Sequence, residues 1–308
     1  MTAPIQPPLY PNLPGAPQIV NNYVYLDRWA KNPTDLTNLI NITTLPKFIS
    51  PYLFRSAGAQ GGAVLYNVST LPQSFLDTNA NRQPGEIANG AEFPIVNVKD
   101  LPEQVATVTH YGGMFPVTYT EARRANYDVI SRGLTKLGNT LIKLSDARAL
   151  AVFNANAVIP RVPAAALWTA VGQKAVADIL SGIVAINSAD MGYVADTLLA
   201  HPTTAAILLG IPDIIQRMPR ENPQLNPIFM QQLPSIMGLN VVTSSQCSTS
   251  QAIITSSQVV GAVAEEIPQY SRVVDEARVE TWWVQSARFD VPIITDPLAA
   301  YVITGVAA

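Results

Sequence analysis

VTYTEARRANYDVISRGLTKLGNTLIKLSDARALAVFNA, residues 117–155, is the stretch whose reading decides the fold. Thr118 and Glu121 stand at capping-box spacing, where hydroxyl and carboxylate satisfy orphan amides at a helix start. Beyond them Ile130, Leu134, Leu137, Leu141, Leu144 and Ala151 recur at steps of three, four or seven. That period predicts one apolar stripe along a helix from about Thr118 to Asn154. Arg123, Arg124, Arg132, Lys136, Lys143 and Arg148 fall mostly off the stripe. No proline interrupts it, although Gly133 and Gly138 each weaken a helix by roughly 1 kcal/mol relative to alanine. At ~1.5 Å per residue the rod would be ~55 Å long, where an ordinary helix has ~11–12 residues. A rod of that length suits a chain that spans something larger than its own core.

Composition points the same way. The 308 residues allow one elaborated domain or two to three modules. Apolar residues make up 48% and charged residues 13%, against a usual charged share of ~25%. So little charge implies that large areas are covered by other subunits. A net charge of -3 with high apolar content argues against a disordered chain and against a dedicated nucleic-acid binder. It leaves room for a container whose inner wall tolerates DNA. Cys247 is the only cysteine, so there is no intrachain disulfide and no cysteine-based zinc site. No apolar run is long enough for a membrane helix. The start, MTAPIQPPLYPNLPG, lacks a basic segment followed by an apolar run and is not a signal peptide, which predicts a cytoplasmic beginning.

Outward from the helix, two extended segments stand out. Residues 1–20 carry Pro4, Pro7, Pro8, Pro11, Pro14 and Pro17, which predict an extended arm or a disordered tail. Tyr10, Tyr23 and Tyr25, with Ile19, Val20 and Val24, supply apolar anchors that a mere tail lacks. A short helix is expected over Asp35–Ile42. The second segment runs from Gly61 to about Asp100. Ala63–Ser69 alternates like a strand, Asn89–Gly90 is a two-residue hairpin signal, and AEFPIVNV reads as the returning strand, with Pro94 marking an edge or bulge. A two-stranded excursion is marginal alone, so a neighbouring subunit is its expected support.

The rest predicts an α/β lobe. Val105–Thr120 reads as a strand, a Gly112–Gly113 turn and a second strand. Lys174–Ile186 has helical spacing, and Ala195–Ala200 is a strand followed by a helix over Thr203–Leu209. Arg217–Pro234 reads as a long loop. Gly238–Thr243 and Ala252–Ser256 are strands, with an apolar run at Val259–Val263. Arg278–Phe289 and Val291–Thr295 are β-like, and Leu298–Thr304 ends the chain.

Chemistry is sparse. His110 and His201 have no ligand partners at metal spacing, and His201, just before a helix, reads as structural. Cys247 in SSQCSTS shows no cue for an activating base, although a cysteine hydrolase using His110 or His201 is the alternative of another class. There is no nucleophile elbow, Walker loop or dinucleotide fingerprint. No catalytic, metal or cofactor-binding residue is predicted. Trp282 and Trp283 would point to opposite faces of a strand, one into the core and one into an interface.

The order of parts resembles the major capsid protein of tailed double-stranded DNA phages, the Hong Kong 97 fold, most of all in phages that infect actinobacteria. The resemblance rests on EIANGAEFP (Glu86–Pro94), FPVTYTEARR (Phe115–Arg124), ADTLLAHPTTAAILLG (Ala195–Gly210), MGLNVVTSS (Met237–Ser245) and RVETWWVQSARFDVPIITDP (Arg278–Pro297). It implies an α+β fold with an N-arm over 1–47 and a lead-in to the P-domain over 48–60. An E-loop hairpin follows over 61–104, then the P-domain with its spine helix over 105–159. A mixed α/β A-domain covers 160–278, and P-domain strands cover 279–308. It further implies pentamers and hexamers in an icosahedral shell, with portal and scaffold proteins as partners, packaged DNA touched non-specifically, no membrane, and assembly in the host cytoplasm. The expected subunit contacts are Tyr10, Tyr23 and Tyr25 on the arm. Phe75, Arg82, Glu86, Glu92 and Lys99 are expected on the E-loop, Arg123 and Arg124 on the helix, and Trp282 and Trp283 near the end. Unlike the family's namesake, the chain begins with arm-like sequence, so no large cleaved prodomain is expected. Lys99, the sole lysine between Lys47 and Lys136, is the one E-loop candidate for a covalent cross-link. An encapsulin shell of the same fold is the nearest alternative.

Overall fold

The computed structural model describes residues 19–20, 23–24, 49–69, 86–93, 103–123, 127–170, 172–189, 191–211, 214 and 235–307, with backbone alone at 19–20, 23–24, 122–123 and 127–131. The helix expected at Asp35–Ile42, the strand residues Pro94–Val98 and the loop at Arg217–Pro234 lie outside them. A small antiparallel pair, β1 (Ile19–Val20) with β2 (Tyr23–Val24), is described in the arm.

The capping box forms. The Thr118 amide donates to Glu121 Oε2 at 3.0 Å, and the Glu121 amide donates to Thr118 Oγ1 at 3.3 Å. The helix it opens is described in two pieces, α2 (Tyr119–Arg123) and the 29-residue α3 (Tyr127–Ala155), so α3 alone is ~44 Å long. Preceding them is a single turn, α1 (Ser50–Leu53).

The stripe on α3 is not quite the expected one. Leu134, Leu137 and Leu141 are buried, but Leu144 and Ala151 are exposed, and Ile142, Ser145, Asp146, Ala149, Leu150 and Phe153 take the inner face. The expected pattern repeats every seven residues, whereas a straight helix drifts by ~20° per heptad against that repeat. Over three heptads the seam moves round by more than half a residue's step, and Leu144 and Ala151 are left outside.

A six-stranded mixed sheet forms the layered lobe. Its order is β7 (Arg161–Pro163), β14 (Ala300–Thr304), β11 (Gln251–Thr255), β8 (Thr197–Ala200), β10 (Leu239–Thr243) and β9 (Ser235–Ile236). Its central strands read TLLA, QAIIT and AYVIT, near-continuous apolar runs of the kind that covered sheets use. Leu198, Ile254, Tyr301 and Ile303 face α4 (Ala175–Asn187) and α5 (Pro202–Leu209), meeting Ile179, Ile186 and Leu208. Leu199, Ile253 and Val302 face the other way, onto Leu150 and Phe153 of α3 and Leu53 of α1.

The second sheet has four strands in the order β3 (Phe54–Gly58), β12 (Gly261–Glu276), β13 (Thr281–Ile294) and β6 (Thr109–Thr118). β12 and β13 make one long hairpin, with register shifts from Glu265 to Tyr270 around Pro268, a residue that cannot donate to a ladder. Pro116 sits in β6, an edge strand, where a missing donor is tolerated. Strand membership departs from the boundary expected at 278/279: β12 pairs with β13, and β14 returns to the six-stranded sheet. A tight antiparallel hairpin keeps β12 and β13 together, and the chain changes sheets after Ile294.

Gly112 and Gly113 do not turn. They lie within β6, opposite Ala287 and Ser286. A Cβ on Gly112 would come within 2.4 Å of the Ser286 carbonyl oxygen, and one on Gly113 within 2.9 Å of Leu137 Cδ1. Gly133 leaves room in the same way for the Phe115 ring, 2.4 Å from where its Cβ would stand. Glycine is used here for close approach between strand, strand and helix.

Candidate intersubunit surfaces

The second extended segment is rooted in a two-stranded antiparallel ribbon, β4 (Ala63–Asn67) with β5 (Glu103–Thr107). The partner of β4 is therefore β5, not the stretch after Gly90. Residues 86–93 contain the expected turn but not a hairpin: the Ala91 amide donates to the Ala88 carbonyl at 3.0 Å, and Gly90 has φ +85°. Asn89 is not at positive φ, so this is the type II arrangement and not the I′ turn that joins strands.

Strand alternation gives the ribbon two unlike faces. Val64, Tyr66 and Ala106 pack on Ala59, Ala262, Ala264, Val291 and Ile293 of the chain's own sheet. The root of the excursion thus rests on its own subunit, contrary to the expectation that a neighbour is its sole support. The opposite face presents Leu65 directly across from Val105, 62% and 67% exposed. Phe93, on the described part of the loop, is 79% exposed, and Glu86 and Glu92 beside it are exposed.

Trp282 and Trp283 stand at the far end of β13. Both are half-buried, so neither is the core residue expected. The Trp282 ring lies 4.9 Å from that of Tyr119, whose hydroxyl donates to Asp275, and Trp283 Nε1 donates to Glu276 Oε2 at 2.8 Å. They brace the hairpin tip. Glu86 and Glu92 share one loop, and the tryptophans share this tip. Arg123 ends α2, and Tyr23 pairs with Val20. Tyr10, Tyr25, Phe75, Arg82, Lys99 and Arg124 lie outside the described residues.

Where the long helix crosses the four-stranded sheet, charges are buried as a network. Arg288 contacts Glu265 and Asp290, each at 2.6 Å, and Tyr111 donates to Asp290 Oδ2 at 2.8 Å. Arg148 from α3 lies 3.7 Å from Asp290 and stacks its guanidinium 4.3 Å above the Tyr111 ring. Burial first, then the nearby Asp290, pushes the Tyr111 hydroxyl up to about 12, against the Arg288 charge.

The alternative chemistry finds no support in geometry. Cys247 is buried, and burial, with the Asp146 carboxyl second, pushes its thiol up to about 12, which keeps it protonated and unreactive. His201 caps α5, its Nδ1 accepting from the Thr203 amide at 3.2 Å. His110 stacks on Phe289 at 4.1 Å. A cleft of about 350 Å³ lies between α3 and residues 243–246, lined by Asn139, Lys143, Asp146 and the 244–245 serines among others. It brings no imidazole to the thiol. Among the described residues no cluster of three metal-ligating side chains occurs, and no helix is long and apolar enough to cross a membrane.

The sequence pattern of the family described as phage capsid protein matches residues 102–303, which takes in the long helix, β6, β12 and β13 of the four-stranded sheet and nearly all of the six-stranded one. The chain belongs to that family. No curated protein sequence matches it. Among solved structures, the capsid protein is similar to a phage-related protein of Bordetella bronchiseptica RB50, at 12% identity and TM-score 0.61, over 88% of this chain and 96% of that one. It is similar to the virus-like particle from Pyrococcus furiosus, at 13% identity and TM-score 0.56, over 92% and 100%. It is also similar to the capsid of Myoviridae phage XM1, at 13% and 0.54, over 84% and 91%. Its α+β architecture is the Hong Kong 97-type capsid fold, and the chain is a structural subunit of a phage capsid.

Sequence reading missed the open face of the ribbon. The signal was present, since Leu65 and Val105 are apolar at alternate positions of strands whose other face is already apolar.

Proposed function

We propose that this subunit assembles with its own copies into pentamers and hexamers that tile an icosahedral shell around double-stranded DNA, and that it has no catalytic role. The observation that carries this is the ribbon, with one face seated on its own sheet and Leu65 opposite Val105 left open. Burying such side chains against a neighbour contributes about 1.5–3 kcal/mol each, and a closed lattice multiplies that contribution over every copy. In this reading residues 1–47 form an arm and 61–104 an E-loop across the adjacent subunit. The long helix and four-stranded sheet form the peripheral P-domain, and the six-stranded lobe forms the axial A-domain. Glu86, Glu92, Trp282 and Trp283 face neighbours. Assembly takes place in the host cytoplasm with portal and scaffold proteins, and the low net charge restricts DNA to non-specific contact.

The likeness to the virus-like particle from Pyrococcus furiosus is compatible with a second reading, in which this chain forms a shell of the same fold that encloses protein cargo. Negative-stain microscopy of the purified chain tests both. Hollow particles or capsomer rings are expected, and a monomer at every concentration overturns the proposal. Nucleic acid within particles from infected cells supports the first reading, and a protein cargo the second.

A further inference from the structure

α4 reads AVADILSGIVAIN, apolar on nearly every side, a composition that belongs to a helix covered all round. Its inner face is accounted for. Ile179 and Ile186 meet the sheet, and Gly182 lets the helix approach so closely that a Cβ would stand 2.5 Å from Ile254 Cδ1. The single charge in the helix is turned inward, with Asp178 accepting from Trp168 Nε1 at 3.0 Å and from the Ala165 amide at 3.3 Å. The outer face is Ala177, Leu180, Ser181, Val184 and Ala185, with Leu180 50% and Val184 56% exposed. No charged side chain of the helix lies on it.

A second feature lies at the other edge of the same sheet. β9 and β10 are joined by Met237–Gly238, with φ +53° and +84°, a type I′ turn between the paired residues Ile236 and Leu239. The first turn position suits asparagine. Here it holds methionine in the left-handed region, 45% exposed. An apolar residue at a strained and exposed position is explained when its side chain is used.

A ring of identical copies closes through unlike patches on opposite flanks of each copy. α4 lies over β14 and β11, toward the β7 edge, and Met237 lies at the β9 edge. We propose that within a capsomer ring the outer face of α4 on one copy receives the Met237 turn of the next copy. The inference rests on the shell reading above and names the contact that closes its rings.

The test uses the full-length chain carrying Val184→Lys, Met237→Glu, both together, or Met237→Asn. Assembly is read by sedimentation velocity and negative stain, with circular dichroism to check the fold. Each charged single variant is expected to lower the assembled fraction at least about tenfold, because it sets a charge against an apolar partner. The double variant is expected to recover to within about threefold of wild type at low salt and to lose that recovery at high salt, as a screened ion pair must. Met237→Asn relieves the backbone and should leave the subunit no less stable while still weakening assembly. Charged single variants that assemble like wild type overturn this contact and leave the shell reading standing. A double variant no better than the worse single overturns the pairing, and a wild type that never leaves the monomer overturns both.

Discussion

The two sheets of this subunit differ in composition and end up in different circumstances: β8, β10, β11 and β14 carry no charged residue, whereas β12 carries Glu265, Glu266, Arg272, Asp275 and Glu276. The six-stranded sheet is covered on both faces by its own chain, with α4 and α5 on one side and the end of α3 with α1 on the other. The four-stranded sheet is covered near its root, where β12 and β13 enter the core, but Ile267 midway along β12 and Val274 and Val279 toward its far end are exposed, and the tryptophans are only half-buried. The difference lies in topology as well as in strand composition. Helices return over the first sheet because its strands are joined through helical connections, whereas a long hairpin has no such crossover to cover its tip. One region is covered by its own chain, and the other leaves apolar side chains open to the neighbours proposed above.

The largest effect expected is in the complete region. Phe153 is fully buried against Leu199, Ile253 and Val302. Phe153→Ala should cost about 3–5 kcal/mol, since transfer and cavity terms add, measured as a drop in the urea midpoint of the unassembled subunit. A loss under 1 kcal/mol, on that same scale, would mean that the second layer on this sheet does not form.

Next comes the network that joins the regions. Asp290→Ala takes from the buried Arg288 a carboxylate partner 2.6 Å away, and it removes the acceptor of Tyr111. Breaking a buried pair from one side costs about 3 kcal/mol or more. The same melts read it, and Arg288→Met with Asp290→Leu together should recover much of the loss. A double variant as weak as the single would show that packing, not charge, sets the cost.

The third expectation concerns the hold of α3 on α1. Asp146, buried on the long helix, accepts the Ile49 amide at 3.2 Å. Burial raises its carboxyl from 3.8 to about 6, against the pull of the Ile49 and Ser50 amides, which favour the ionised form. A carboxyl protonated more readily in the folded chain contributes stability that is full below about 3.8 and is lost as pH rises through about 6. Relative to Asp146→Asn, wild type should lose roughly 2–3 kcal/mol between pH 4 and pH 7. A difference that stays flat across this window would place the carboxyl in water.

How legible this was in the sequence differs between the regions. The helix start at Thr118 and Glu121, the strand expected over Ala195–Ala200 and the structural role of His201 just before a helix were all readable, because each is set by neighbours in sequence. The partner of β4 was not: the pairing skips from Asn67 to Glu103, and no local signal prefers it over a hairpin at Gly90. Gly112 and Gly113 misled for a related reason. A glycine doublet signals a turn by its backbone freedom, but here the absent Cβ matters, and what it would strike is Ser286 and Leu137, far away in sequence. The seam of α3 slipped because a seven-residue count is a local habit and a straight helix does not keep it. The faces of the ribbon were half legible, since alternation is visible but which face the chain covers for itself is not.

The smallest expected effect on the lone subunit is the sharpest test of the contrast between regions. Leu65 and Val105 face each other across the ribbon and touch solvent. Changing both to serine removes apolar surface already in water, so the stability of the unassembled chain should shift by no more than about 0.5 kcal/mol. In the shell proposed above the same change deletes a contact from every copy. Particle yield and resistance to dissociation by denaturant should fall well before the subunit itself unfolds. Were the pair to destabilise the monomer by the ~2 kcal/mol expected of core leucines, the ribbon would be covered by its own chain, and the division between a self-sufficient lobe and an assembly-dependent one would lie elsewhere. The comparison therefore turns on one ratio, the loss in the shell against the loss in the subunit. That ratio should be near one for Phe153 and far above it for Leu65 and Val105.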